Sequence, residues 1–176
     1  LAELSVADLD LAALENGFFS LRHAPDTRLT PAELQLSWRT SRRKVFRGSE
    51  GALRPVTDRV VHFVSPHPVA RGSAVSLDGE PVGRVHACAF SHLLGANVGL
   101  LHVREPVAHP GLFLRAETGG SQATLATCSV PWLQNRSLYV NPRESRYVAR
   151  DERAAPAIVP EPLRELVRAL ASEDAS

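Results

Sequence analysis

Histidine and cysteine side chains are the groups of this sequence best suited to metal binding or acid–base chemistry. The chain has seven histidines and two cysteines. His62, His86 and His102 fall within apolar, strand-like runs, where a lone histidine is usually a wall or core residue, and no acidic partner recurs at a spacing that would orient them. Cys88 and Cys128 stand far apart in apolar contexts and are interpreted as small buried hydrophobic residues. The pattern predicts no metal site, no disulfide and no catalytic residue among these side chains.

Familiar catalytic motifs are also absent from the sequence. There is no Gly-x-Ser-x-Gly elbow, no His-Glu-x-x-His pair and no glycine-rich phosphate loop after a strand-like run. The formal net charge of +1 gives no overall attraction to nucleic acid or membranes, although it leaves room for a local basic patch. No apolar run approaches the about 20 residues that a membrane-spanning helix needs. Composition and motifs therefore indicate a soluble mixed domain and name no reaction.

The middle of the chain alternates apolar and polar residues in short runs, as strands do. Proline and glycine separate the runs, and Asp78-Gly79 between two of them is a strong hairpin signal. Six strands at this spacing predict a small antiparallel barrel or sandwich over residues 56–133. The runs are DRVVHFV, SAVSL, PVGRVHACAF, ANVGLLHV, LFLRAE and ATLATCSVPWL.

Helical signals lie on both sides of the strand-like runs. Ser5, with Asp8 three residues later, predicts a capped helix that ends near Gly17. Thr30, followed by proline, begins another ordered element, and a short helix is predicted around residues 49–53. An amphipathic helix close to the C-terminus is too short to be stable alone in water, so it must pack on its own barrel or on a partner. Its apolar face consists of Leu163, Leu166, Val167 and Leu170.

Several stretches, taken together, resemble the C-terminal half of the glycine-cleavage T-protein, an aminomethyltransferase, and its folate-binding relatives. The stretch LENGFFSLRHAPDTRLTPAELQLSW is similar to that family's Leu-Glu-Ala-Gly run with its following Thr-Pro and Trp, and KVFRGSEGAL to its aromatic-x-Gly-x-Glu turn. The hairpin VGRVHACAFSHLLGANVGLLHV resembles the signature of the family's barrel, and ATCSVPWL stands where the family ends in Leu-Pro-Phe. The resemblance covers residues 9–133 in the family's order.

The resemblance implies an α+β fold that is mostly β, in four parts. Residues 1–55 would be a remnant of the family's central domain, with a short helical segment, and residues 56–134 its six-stranded antiparallel barrel. Residues 135–159 are polar, charged and proline-rich, which is typical of an extended linker arm. Residues 160–176 hold the amphipathic helix.

The resemblance also implies a tetrahydrofolate site in which some of the family's residues are replaced. Glu33 stands where the family has a pterin-contacting glutamate, and Arg59 and Arg71 lie at positions suited to a folate glutamyl tail. The alternative for Glu33 is an acid in the first turn of a helix, and for the arginines surface ion pairs. The family's Tyr-Gly pair is replaced here by Arg22-His23. The family's catalytic aspartate belongs to an N-terminal half that has no counterpart in this chain.

The preferred hypothesis is therefore a T-protein-like module without catalysis or a cofactor of its own, acting as a structural subunit of a larger assembly such as a mitochondrial ribosome or respiratory complex. The basic stretch from Arg39 to Arg47, with Arg42, Arg43 and Lys44 at its centre, is the predicted contact with RNA or phosphate. The apolar face of the C-terminal helix is the predicted contact with protein subunits. Neither a membrane span nor a contact with DNA is expected.

Two further hypotheses remain open. The chain could be the C-terminal part of a tetrahydrofolate-dependent aminomethyltransferase, or a small-ligand sensor that uses the mouth of the barrel. The sequence contains no methionine, so either a leader has been removed or the chain begins inside a longer polypeptide. A removed leader is compatible with mitochondrial import, which predicts a mitochondrial location.

Overall fold

The computed structural model describes residues 4–18, 29–132 and 159–173. Three α-helices lie within these ranges: α1 (Val6–Glu15), α2 (Ser49–Ala52) and α3 (Glu161–Glu173). Short 3-10 helices span Ser37–Arg39 and Glu105–Val107. The six strands are β1 (Asp58–Ser65), β2 (Ala74–Leu77), β3 (Glu80–Ser91), β4 (Ala96–Arg104), β5 (Phe113–Thr118) and β6 (Ser121–Cys128).

The strands form a closed antiparallel barrel in the order β1-β4-β3-β2-β5-β6. Pairing of β1 with β6 closes it, with His62 opposite Cys128 and Val64 opposite Ala126. The pairing of β2 with β5 is also short and involves only Val75 and Ser76 of β2. The mostly β fold class and all six predicted strands are confirmed, except that β6 ends at Cys128, before the end of its predicted run.

Local sequence signals account for the turns and the helix ends. Asp78 and Gly79 both have positive φ angles, of 51° and 84°, as the predicted two-residue hairpin requires. Ser5 and Asp8 form the predicted capping box of α1, which ends just before Gly17 at φ 71°. The buried carboxylate of Glu15 accepts a hydrogen bond of 2.5 Å from the hydroxyl of Ser91, so the end of α1 is attached to β3.

The interior of the barrel is filled by alternate residues of all six strands. Phe63 is fully buried there, and its ring lies where a Cβ atom on Gly99 would approach within 2.5 Å, so β4 needs a glycine at this point. The other large buried residues of this core cluster are Val61, Val69, Val75, Val82, Val85, Leu101, Val103, Leu114 and Leu125.

The outer faces of β1 and β4 are buried as well. Val60, Val64, Val98 and Leu100 alternate with the interior residues and belong to apolar clusters outside the barrel. Leu14 of α1 and Trp132 cover one part of this face, while α3 covers the other. The wall formed by β1 and β4 is therefore apolar on both sides.

Helix α3 packs on the barrel through its apolar stripe. Leu170 is 1% exposed and lies against Val64, Ala96 and Ala126. Leu163, Leu166 and Val167 pack around the same cluster. Of the two surfaces predicted for this helix, its own barrel is the one it contacts.

The four-part division of the chain remains a prediction. Most of the proposed arm at 135–159 lies outside the described residues, as does the end of the barrel unit after residue 132. Among the described helices, none has the length and apolarity to cross a membrane.

Truncating Leu170 should destabilise the folded barrel without altering its surface. Leu170→Ala should lower the free energy of unfolding by about 2 to 5 kcal/mol, because a fully buried leucine leaves a cavity behind. Arg164→Ala, on the exposed face of the same helix, is the matched control and should change it by less than about 0.5 kcal/mol. Urea denaturation measures both, and equal midpoints would show that α3 does not pack as described.

Burial of His62 predicts a dependence of stability on pH. The residue is 6% exposed, and desolvation lowers the pKa of its imidazole from 6.5 to about 4. Between these values the unfolded chain binds a proton that the folded chain does not, so stability is lost as pH falls from 6.5 towards 4. The difference between the two pKa values corresponds to a loss of roughly 3 kcal/mol of folding stability once the pH has fallen below both.

A His62→Leu variant tests this assignment. Its free energy of unfolding should fall less steeply than that of the native chain between pH 6.5 and pH 4, as measured by urea denaturation at each pH. Phe113→Leu, at an exposed position without an ionisable group, serves as the control and should keep the native slope. An unchanged slope in His62→Leu would contradict the assignment.

Candidate functional site

A cleft lies on the outer face of the barrel, between β1, β6 and the segment before α2. Its volume is about 360 Å³, which is within the range of pockets for small ligands. The cleft is lined by Gly17, Leu34, Gln35, Leu36, Trp38, Val60, Val61, His62, Pro110, Cys128, Ser129 and Val130.

Backbone and side-chain hydrogen bonds fix the segment that forms one wall of the cleft. The N–H of Val60 donates to the carbonyl of Glu33 at 2.8 Å, and Nε2 of Gln35 donates to the carbonyl of Val60 at 2.8 Å. Gln35 takes a positive φ of 58°, which turns the chain away from β1. This turn leads to Trp38, whose side chain is 73% exposed at the edge of the cleft. The segment is therefore held along β1 up to Gln35 and then leaves the barrel.

The inner end of the cleft holds a histidine and a cysteine side by side. His62 and Cys128 are direct partners in the pairing of β1 with β6. Nε1 of Trp132 donates to Sγ of Cys128 at 3.0 Å, and the rings of His62 and Trp132 meet edge to face at 5.6 Å. Sequence reasoning missed this pair because the register between distant strands is not visible in the sequence, although both residues occupy outward positions.

Burial keeps both of these groups neutral near pH 7. It lowers the pKa of His62 to about 4 and raises the pKa of Cys128 to about 11, against a smaller opposing effect of the hydrogen bond from Trp132. A cysteine nucleophile acts as its thiolate, and a histidine base works best with a pKa near the working pH. The pair is therefore suited to lining an apolar binding surface and poorly suited to nucleophilic chemistry.

Glu33 does not line the cleft. Its carboxylate accepts a hydrogen bond of 2.6 Å from the N–H of Thr30, and its own N–H donates to the Thr30 hydroxyl at 3.3 Å, which makes a capping box. Its other carboxylate oxygen lies 4.0 Å from Nε2 of His102. These contacts are those of a helix cap, although residues 31–35 form a turn and not a helix. The role of Glu33 in binding a ligand stays a prediction.

The two arginines predicted for ligand binding lie apart. Arg59 contacts Glu105 at 3.3 Å and the carbonyl of Ala32 at 3.4 Å, so it is close to the turn that contains Glu33. Arg71 precedes Gly72, whose N–H donates to Val85 on β3, and it is exposed. Arg71 lies in the turn before β2, and β2 is three positions from β1, the strand of Arg59, in the strand order. The structure thus brings Arg59 and Glu33 together and leaves Arg71 elsewhere.

A second candidate surface is the basic segment, defined here as residues 37–54. The side chains of Arg42, Arg43 and Lys44 are exposed, and Val45 is 97% exposed. The hydroxyl of Ser41 accepts hydrogen bonds from the N–H groups of Arg43 and Lys44, at 3.4 and 3.3 Å. The predicted basic contact is thus a turn that extends its charges into solvent.

The remaining predictions concern metal binding, the Arg22-His23 pair and the apolar face of α3. The described residues contain no group of three or more histidine, cysteine or acidic side chains able to hold a metal ion. Arg22 and His23 lie outside the described residues. The apolar face of α3 already covers its own barrel, and its predicted contact with a partner remains a prediction.

Comparison with known proteins gives a consistent set of similar chains. No family model matches. The probable aminomethyltransferase of Thermococcus gammatolerans is 32% identical over 110 residues, which are 59% of this chain and 28% of that protein. The mitochondrial aminomethyltransferase of Flaveria trinervia is 26% identical over 137 residues, which are 72% of this chain and 34% of that protein. The chain thus spans about a third of the length of these relatives.

A solved structure shows the same fold. The glycine cleavage system aminomethyltransferase T of Bartonella henselae matches 72% of this chain and 38% of its own chain, with a TM-score of 0.63 and 22% identity. At this identity the match concerns the fold alone. Together with the curated relatives, it confirms that this chain resembles part of an aminomethyltransferase T-protein.

Proposed function

We propose that this chain is a T-protein-like module without catalysis of its own that acts as a structural subunit of a larger assembly. The observation that carries the proposal is the chemistry of the cleft. His62 and Cys128 are the ionisable side chains among its described lining residues, and both are neutral near pH 7. Such a surface can bind an apolar group, but it has no group ready to move a proton at that pH.

The exposed apolar residues of the basic segment support a role in assembly. Trp38 and Val45 are 73% and 97% exposed, and Phe46 and Leu53 are exposed in the same segment. Large apolar side chains exposed together in one segment are a candidate interface. A partner that covers the basic segment would bury these side chains and gain the free energy of removing them from water.

The host and the location are part of the same proposal. The relative from Flaveria trinervia is named a mitochondrial protein, which supports a mitochondrial location for this chain. A mitochondrial ribosome or a respiratory complex is the kind of host that we propose. Protein subunits would contact Val45 and Leu53, the exposed aliphatic residues of the basic segment.

The names of the relatives favour a second candidate function, as the C-terminal part of a tetrahydrofolate-dependent aminomethyltransferase. In the described conformation the residues predicted for this cofactor do not fit it well. The carboxylate of Glu33 is held by Thr30, and Arg59 is paired with Glu105. A pterin edge that binds through two hydrogen bonds would need both oxygens of Glu33, and one of them already accepts from Thr30, so we derive no catalytic step from these residues.

Calorimetric titration separates the two functions. Tetrahydrofolate added to the full chain at high micromolar concentration should give no binding heat, because its predicted carboxylate is held by Thr30. A Glu33→Gln variant shows whether any heat that appears depends on that carboxylate. Saturable heat in the native chain that is lost in Glu33→Gln would support the second candidate and count against the first.

Incorporation into an assembly tests the preferred function. Val45→Asp should shift the tagged chain from a large particle to the free pool in a sucrose gradient of mitochondrial extract, because a carboxylate would be buried in an apolar interface. Stability should not change, since Val45 is 97% exposed. Leu4→Asp, at another exposed apolar position, should remain in the particle. A native chain found only in the free pool would refute the proposal.

A further inference from the structure

The basic segment has a charge unlike that of the whole chain. Six of the chain's twenty basic residues fall within residues 37–54, together with one of its nineteen acidic residues, Glu50. The segment therefore carries a formal charge of +5, while the chain carries +1. Charge concentrated in this way raises the local concentration of an anionic partner, which the net charge of the chain would not do.

The structure presents this charge to solvent. Arg42, Arg43, Lys44, Arg47 and Arg54 are all exposed. Within the described ranges, none of these five forms an ion pair with another residue. Their donors are thus available for an external anion, and neutralising a protein carboxylate is not their role in the described fold. Four of the five are arginines, whose planar guanidinium groups bind phosphate through two parallel hydrogen bonds.

Aromatic side chains are interleaved with these cations. Trp38 precedes them at 73% exposure, and Phe46 lies between Lys44 and Arg47 at 39% exposure. An acidic protein surface would satisfy the charges but would offer no flat groups to these rings. Unpaired nucleic acid offers both, because its phosphates follow the cations while its bases stack on aromatic faces. The combination therefore favours a single strand over a duplex or an acidic peptide.

We infer that the basic segment binds single-stranded nucleic acid, with its four exposed arginines and Lys44 on phosphates and with Trp38 and Phe46 stacked on bases. This inference rests on the proposed function, because it names the partner of the same exposed surface. Of the two kinds of host, it points to the one that contains RNA. RNA and DNA share the phosphates and bases used here, so the experiment compares both.

Fluorescence anisotropy of a labelled strand gives the first measurement. The full chain should bind an RNA strand of about 12 nucleotides, within the range of ~4 to 16 that such sites cover. Affinity should fall steeply as salt rises from about 50 to 200 mM, because phosphate binding releases counterions. Trp38 fluorescence should be quenched on binding, whereas Trp132 is buried and should not respond. A DNA strand of the same sequence shows whether the 2′-hydroxyl groups contribute.

Matched variants assign the effect to the segment. Replacing Arg42, Arg43 and Lys44 by glutamine should reduce the slope of log affinity against log salt by about 2, since each phosphate contact contributes about 0.7 for a single strand. Replacing the exposed Arg84, Arg164 and Arg168 by glutamine makes the same change in charge and should leave the slope intact. Trp38→Ala should weaken binding about tenfold, and Phe113→Ala, at another exposed aromatic residue, should not.

Three results would overturn the inference. An abasic strand that binds as tightly as the RNA strand would show that bases do not stack on the segment. Polyglutamate that binds as tightly as the RNA strand, without quenching of Trp38 fluorescence, would assign the surface to an acidic protein. Absence of strand binding, with normal incorporation of the chain into its particle, would refute the inference and leave the proposed function standing. Strand binding by a chain found only in the free pool would refute the proposed function and keep the inference.

Discussion

The need to bury both faces of the β1–β4 wall determines how the rest of this protein is arranged. Val61 and Phe63 point into the barrel, and Val60 and Val64 point out of it, yet all four are buried. A barrel alone would expose the second set to water. The chain therefore needs α1, the segment around Leu34 and α3 on the outside, and the cleft lies where these covering elements leave a gap.

Sequence reasoning predicted the elements of the fold well because their signals are local. Alternation identifies each strand, Asp78-Gly79 defines a hairpin, and Ser5 with Asp8 defines a helix start. The strand pattern alone left a barrel and a sandwich open, and the family resemblance decided for the barrel. The partner of α3 could not be predicted, because an apolar stripe on a helix does not specify the surface that it covers.

The candidate site was predicted less completely, because its geometry depends on contacts between distant parts of the chain. The pairing of His62 with Cys128 depends on the register of β1 with β6, which lie more than sixty residues apart. The exposure of Trp38, at 73%, could not be predicted either, because it depends on the path of the chain after the turn at Gln35. The basic contact around Arg42 was visible in the sequence, since a run of charge needs no tertiary information.

The barrel is much better supported on one side than on the other. The wall made by β1 and β4 is paired along its length and covered by helices, whereas β2 meets β5 only at Val75 and Ser76. Phe113, Arg115 and Glu117 of β5 face water. Thermal opening of this protein should therefore begin as an unzipping of the β2–β5 seam, and amide protons there should exchange with solvent long before those of the opposite wall.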